Sequence, residues 1–138
     1  MTAVLIIDPD KETRLALETQ LSDSNQFARV LAFPDLQSAS LCLQSGEIRV
    51  LLIDAAQAGR SSLIHDIKAR YPALGVVLLR DSGGLLDERT LRELGGHAQT
   101  TRLAAPMEII ACVAKALVLG LKPGKRILNK FIKDKKQP

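Results

Sequence analysis

Aromatic side chains are nearly missing from this chain. It has three Phe, one Tyr and no Trp in 138 residues. That scarcity argues against a stacking platform for nucleic-acid bases. Cysteine is rare too, and Cys42 and Cys112 sit inside apolar helix-like patterns with no C-x-x-C pairing. They read as reduced core thiols of a cytoplasmic protein. The two histidines, His65 and His97, share no ligand spacing with the cysteines, so no zinc site is expected. No apolar run reaches the roughly 18 residues of a membrane span. No signal-peptide pattern opens the chain. Walker loops, nucleophile elbows and G-x-G-x-x-G turns are absent. Gly83-Gly84 and Gly95-Gly96 read as turn and helix-stop glycines.

What is present is an uneven charge. The net charge is +4. Residues 122–138 carry seven basic side chains and one acid, Asp134, which leaves twelve basic and fourteen acidic residues in the body, a net of −2. The chain is a mildly acidic domain, residues 1–121, with a basic tail or linker, residues 122–138. In the tail a Pro123-Gly124 break precedes Ile127, Leu128, Phe131 and Ile132, which interleave with lysines as a basic amphipathic helix would. Three uses fit it: a link to an output domain, a docking segment, or contact with nucleic acid or an anionic surface.

Strand-like and helix-like segments alternate along the body. Val4–Ile7 is an apolar run stopped by Asp8-Pro9-Asp10. Asp10 is placed to cap a helix to about Ser22, with Leu17 and Leu21 on one side. Phe27–Phe33 is a second strand, and Pro34-Asp35 starts a helix carrying Leu36, Ala39 and Leu43 to a stop at Gly46. Ile48–Ile53 is the most apolar strand and ends in Asp54; Ala55–Ser62 is a loop, with Ser61-Ser62 capping the next helix. That helix carries Leu63, Ile64 and Ile67 and stops before Pro72. Val76–Leu79 runs into Arg80-Asp81-Ser82, then come a helix Leu86–Leu94 and a weak strand Ala98–Leu103. Pro106 opens a last helix with a core stripe of Ile110, Ala114, Leu117 and Leu121. Continuous apolar strands joined by amphipathic helices imply a doubly wound α/β fold, (βα)5, with a five-stranded parallel sheet. Its functional cleft lies beyond the carboxyl ends of the strands.

At those ends the chain resembles the receiver domain of response regulators, a CheY-like, flavodoxin-like fold. The resemblance rests on VLIIDPD, VLLID, IKARYP, VVLLRDS and GGHAQTTRLAAP and covers roughly residues 2–119. It implies two acids that bind Mg²⁺ after strand one, a phospho-acceptor aspartate ending strand three, a Ser or Thr ending strand four, an aromatic switch on strand five and a Lys before the last helix. Asp54 matches the acceptor and Asp8 the first acid. Pro9 stands at the second acid, Arg80 at the Ser or Thr, Arg102 at the aromatic and Ala105 at the Lys. Asp10 is the remaining acid of the pocket and a partial substitute, although the next helix competes for it as a cap.

Phosphoryl transfer to a carboxylate needs cations on the transferring oxygens, and Mg²⁺ needs near-octahedral oxygen ligation. Pro9 brings no carboxylate and Ala105 no charge. The expectation is therefore a degenerate, non-enzymatic receiver without a bound metal or other cofactor, working as a protein-interaction module in two-component signal transduction. Arg80 is expected to turn inward and pair with Asp54, Asp8 or both. The alternatives are a phosphorylatable receiver using Mg²⁺ and Asp54, and a regulator contacting nucleic acid or an output domain through residues 122–138. The resemblance implies a partner or homodimer surface on the fourth helix, fifth strand and fifth helix, near Leu91, Leu94 and Arg102.

Overall fold

The computed structural model describes residues 2–58, 63–81 and 84–136, with side chains as far as Leu121. The elements run β1 (Thr2–Ile7), α1 (Lys11–Asp23), β2 (Phe27–Phe33), α2 (Leu36–Gln44), β3 (Ile48–Asp54), α3 (Ala55–Ala58), α4 (Leu63–Arg70), β4 (Gly75–Arg80), α5 (Glu88–Glu93), β5 (Ala98–Thr101) and α6 (Pro106–Lys136). The five strands form one parallel sheet in the order β2-β1-β3-β4-β5. This is the doubly wound arrangement that the alternating pattern predicts. The expected loop after Asp54 differs: its first four residues form the short helix α3. The predicted cap at Ser61-Ser62, together with Ser82 and Gly83, lies outside the described residues.

Local chemistry sets the helix starts. Asp10, Asp35 and Asp87 each precede a helix in extended backbone, and each side chain accepts the N–H three residues on. Such caps satisfy amide groups that the first helical turn leaves without partners.

Pleating divides the core in two. Leu5, Ile7, Leu51, Ile53, Val76 and Leu78 meet Ala39, Leu43, Ala58, Ile64 and Leu91 on the face covered by α2 to α5. Val4, Ile6, Val50, Leu52, Val77, Leu79 and Ala98 meet Leu17, Leu21, Ile109, Val113 and Ala116 on the face covered by α1 and α6. Strand side chains alternate between faces. The parity of a residue at a strand end therefore decides which face its side chain joins.

The last helix sits differently from the predicted stripe. Its buried line is Ile109, Val113, Ala116 and Gly120, while Ile110 and Leu117 are half-buried and Ala114 and Leu121 are exposed. The helix carries apolar residues on several faces, so periodicity alone selects no single stripe. Close packing decides: a Cβ at Gly75 would overlap the Ala116 carbonyl, and one at Gly120 would lie 2.7 Å from the Gly75 nitrogen. Only glycine at both places lets α6 lie against the start of β4. Gly75→Ala must push the helix off the sheet, with an expected loss of about 3 kcal/mol by the usual cost of overpacking. Urea unfolding measures it, and a loss below about 0.5 kcal/mol would disprove the close approach. The helix backbone also continues through Pro123 and Gly124, where the sequence predicts a break. One missing N–H removes one hydrogen bond, and the turns on either side carry the helix on. The predicted apolar and basic faces of residues 122–138 are side-chain arrangements outside the described residues.

Candidate functional site: an acidic pocket held by an arginine

Three strands deliver carboxylates to one end of the sheet. Asp8 follows β1, Asp54 ends β3 and Asp81 follows β4. Asp8 continues the Val4, Ile6 series and Asp54 the Val50, Leu52 series, so both belong to the α1/α6 face. The register sets Asp54 beside Leu79 and Leu79 beside Thr100. Two residues beyond them, on the same face, stand Asp81 and Arg102.

Arg102 fills the pocket. Its Nη2 donates to Asp54 Oδ1 at 2.5 Å, and its Nε lies 3.2 Å from Asp8 Oδ2 and 3.4 Å from Asp81 Oδ1. The contact with Asp8 is a charge contact. The Nε–H is not aimed at that oxygen, and neither atom has a hydrogen-bond partner among the described residues. Asp8 is fully buried, while the Arg102 side chain is 20% exposed and Asp81 is open to solvent. The Arg102 N–H donates to the Arg80 carbonyl and fixes the backbone from which the side chain departs.

The electrostatics follow from one cation serving several anions. Burial raises the Asp8 carboxyl above its ordinary range, and the Asp54 charge adds to this. The Asp10 N–H, donating to Asp8 Oδ1 at 2.9 Å, and the Arg102 charge only partly offset it. Burial alone would lower the Arg102 guanidinium, but the bond to Asp54 and the charges of Asp8, Asp54 and Asp81 outweigh that and hold it above its usual value.

The expected inward Arg80 is corrected here. Its Nε donates to the Gly84 carbonyl at 3.3 Å, and the ion pairs of Asp8 and Asp54 go to Arg102 instead. The reason is the pleat: Arg80 continues the Val76, Leu78 series and emerges on the opposite face. It helps pin the loop into α5, which Gln99 also clamps, accepting the Leu86 N–H at 2.8 Å and donating to the Leu86 carbonyl at 2.5 Å.

The other sequence candidates take separate places. Asp10 is exposed and spent on its cap, where Thr13 donates through both its N–H and its hydroxyl; those bonds hold its carboxyl below the usual value. Pro9 is exposed, and Arg14 donates to the carbonyls of Asp8 and Pro9. Ala105 is exposed before α6 and brings no charge. Leu91, expected near a partner surface, is instead buried against Leu78 at the site of Gly96. Leu94 is half-buried against the same core. An isolated i, i+3 leucine pair on a short helix does not tell core from surface.

These residues do not fit Mg²⁺. One oxygen of Asp8 accepts a hydrogen bond from the Asp10 N–H and the other faces a guanidinium, and Asp54 Oδ1 is bonded to the same guanidinium. Asp10 serves the helix, and no group of three metal-ligating side chains occurs among the described residues. A hard dication needs several free oxygens in octahedral array.

A doubly wound five-stranded sheet with acids at the ends of β1 and β3 is the architecture of response-regulator receiver domains, and the solved structures similar to this chain bear that fold. NtrX from Brucella abortus, in a complex with ADP, matches at a TM-score of 0.74 and 20% identity, over 100% of this chain and 31% of that one. A response regulator from Thermotoga maritima matches at 0.71 and 20% identity, over 86% of this chain and 98% of that one. The isolated receiver domain of RcsB from Salmonella enterica serovar Typhimurium, in the presence of phosphomimetic BeF3⁻, matches at 0.67 and 18% identity, over 87% and 98%. No protein-family model matches the chain, and no curated protein matches its sequence. No helix among the described residues is long and apolar enough to cross a membrane.

Proposed function

We propose that this chain is a pseudo-receiver: a cytoplasmic, non-catalytic signalling module of the two-component type whose acidic pocket carries its own cation. The observation that supports this is Arg102, bonded to Asp54 and in charge contact with Asp8. In this reading Arg102 supplies permanently the positive charge that a metal ion and a lysine supply in a phosphorylatable receiver. Asp54 is then structural, and signalling proceeds through protein contacts.

The partner surface in this reading lies on β5 and α6. Leu103, directly after the pocket arginine, is 88% exposed, and Met107, Val118 and Leu121 extend an exposed apolar line along α6. Large apolar side chains left in water near one another suit a protein partner, an output domain or a second copy of the chain. Residues 1–121 are the module, and residues 122–138 connect it to that partner or domain.

The test uses Mg²⁺ with acetyl phosphate, and separately with beryllofluoride. The expected result is no phosphoryl mass increase and no shift of the Asp54 or Arg102 amides. A mass increase that disappears in Asp54→Asn overturns the proposal and makes the chain a phosphorylatable receiver.

A further inference from the structure

Helix α6 carries two apolar lines, and the body uses only one. Ile109, Val113, Ala116 and Gly120 pack on the sheet. On the outward side Met107, Ala111, Ala114, Val118 and Leu121 are all exposed, and they recur at steps of four, three, four and three. The outward face of a surface helix is normally charged. This line holds no charged residue from Met107 to Leu121. The helix backbone then continues to Lys136, about 24 Å beyond Gly120 at 1.5 Å per residue. By number the same steps lead on to Lys125, Leu128 and Ile132, and Pro123 falls on the other side of the helix. Alternating steps of three and four, kept over nearly four heptads, are the seam of a coiled coil.

The composition of the seam selects its occupant. A parallel second copy would set each residue against itself. Ala111 on Ala111 and Ala114 on Ala114 leave two thin layers, and Lys125 on Lys125 opposes two charges. Two tails, each with seven basic residues and one acid, would also run side by side. Turning the second copy round about a point between Val118 and Leu121 removes all three faults. Val118 then meets Leu121, Ala114 meets Lys125, Ala111 meets Leu128 and Met107 meets Ile132. Each alanine faces a long residue, and the stem of a lysine over an alanine leaves its ammonium in water. The basic tail of each copy runs back along the other copy's body, whose net charge is −2, toward the end where Asp10 and Asp81 are exposed.

We infer that α6 pairs with α6 of a second copy, antiparallel, along this outward seam. Each body covers its own helix before Leu121, so the two bodies stand end to end and leave the seam open to the partner helix. Eight positions on each copy, mostly aliphatic and burying on the order of 80 Å² apiece, remove about 1,200 Å² from water. That is the low end of a stable interface, so the dimer forms with a dissociation constant on the order of ten micromolar. The inference gives the α6 surface proposed above its occupant and rests on that surface, not on the state of Asp54.

Sedimentation equilibrium of the full chain, up to about 300 µM, where such a dimer predominates, tests it. The expected result is a reversible monomer–dimer equilibrium that weakens with added salt, because opposite charges meet across it. Val118→Asp/Leu121→Asp changes two exposed residues at the centre of the seam and should weaken the dimer at least about tenfold with the fold intact by circular dichroism. Leu41→Asp, an exposed apolar position on α2, should leave it unchanged. Orientation is read by mild oxidation: chains with Ala114→Cys should cross-link to chains with Lys125→Cys, and not to themselves, above the wild-type background from Cys42 and Cys112. A monomer at every concentration overturns the inference, as does unchanged affinity in the double variant. So does Ala114→Cys cross-linking to itself or a dimer that tightens with salt, since both report parallel helices. A monomer leaves the reading of Asp54 standing, and a phosphorylated Asp54 leaves the dimer standing.

Discussion

Replacing Arg102 by alanine is expected to cost about 2–3 kcal/mol at neutral pH, while Arg80→Ala stays within about 0.5 kcal/mol. The two arginines are neighbours in space, since the Arg102 N–H bonds the Arg80 carbonyl, yet they serve different faces. Removing Arg102 leaves Asp8 buried with no cation and Asp54 without its charged donor. Breaking a buried pair from one side typically costs about 3–5 kcal/mol. The lower figure is expected here because Arg102 is partly exposed and Asp8 sheds its charge by protonation. Arg80 gives up one contact with an exposed carbonyl.

The pH dependence separates this from a packing defect. Burial raises the folded Asp8 above its unfolded value of 3.8. A group with a raised folded pKa contributes stability that is fully present below the unfolded pKa and lost as pH rises through the folded one. Arg102 limits that loss by lowering the Asp8 pKa, so the variant suffers it more. The difference between the wild type and Arg102→Ala should therefore be widest near neutrality and narrow as pH falls toward 3.8. Urea melts across that range measure it. A difference that stays constant, or widens in acid, means that Arg102 does not serve Asp8.

The second large effect is a gain. The double variant Pro9→Asp/Arg102→Ala is expected to bind Mg²⁺ at least about tenfold more tightly than the wild type, read as a metal-dependent rise in melting temperature through ligand linkage. In the wild type a guanidinium occupies the oxygens a metal needs, and Pro9 adds none. The variant frees Asp8 and Asp54 and adds a carboxylate on an exposed loop position that makes no backbone donation. Three neighbouring carboxylates without a cation repel one another, so a dication stabilises the variant where it does nothing for the wild type. Adding Asp54→Asn should remove most of the gain. If the double variant ignores Mg²⁺ while remaining folded, the arginine and the proline are not what governs the response of the pocket to Mg²⁺.

The opening stretch VLIIDPD shows how much was legible beforehand. The strand, the leading acid and the cap at Asp10 follow from residue type and spacing, while the ligand missing at Pro9 is what the resemblance to receivers implies. The expectation that Asp8 and Asp54 meet a protein cation rests on that resemblance too. The identity of that cation was not legible. Arg80 directly follows an apolar strand and looks like its natural end, while Arg102 stands at a weak strand, at the position where receivers carry an aromatic. The helpful signal is parity: residues 8, 54 and 102 each continue an even-numbered series on the α1/α6 face.

Parity cannot be used without register, and here the sequence is silent for a physical reason. The central strands are buried on both faces, so they are apolar at every position and show no alternation between inside and outside. The same uniformity hides the buried stripe of α6, which two glycines decide through a backbone approach that no periodicity reports. The sequence by itself determined the order of strands and helices along the chain and the carboxylates at the strand ends, because each depends on local residue chemistry. Only the tertiary structure decided that Arg102 holds the acids and that Leu91 is core, because the first depends on the register between strands and the second on how a helix packs against a sheet far from it in the chain.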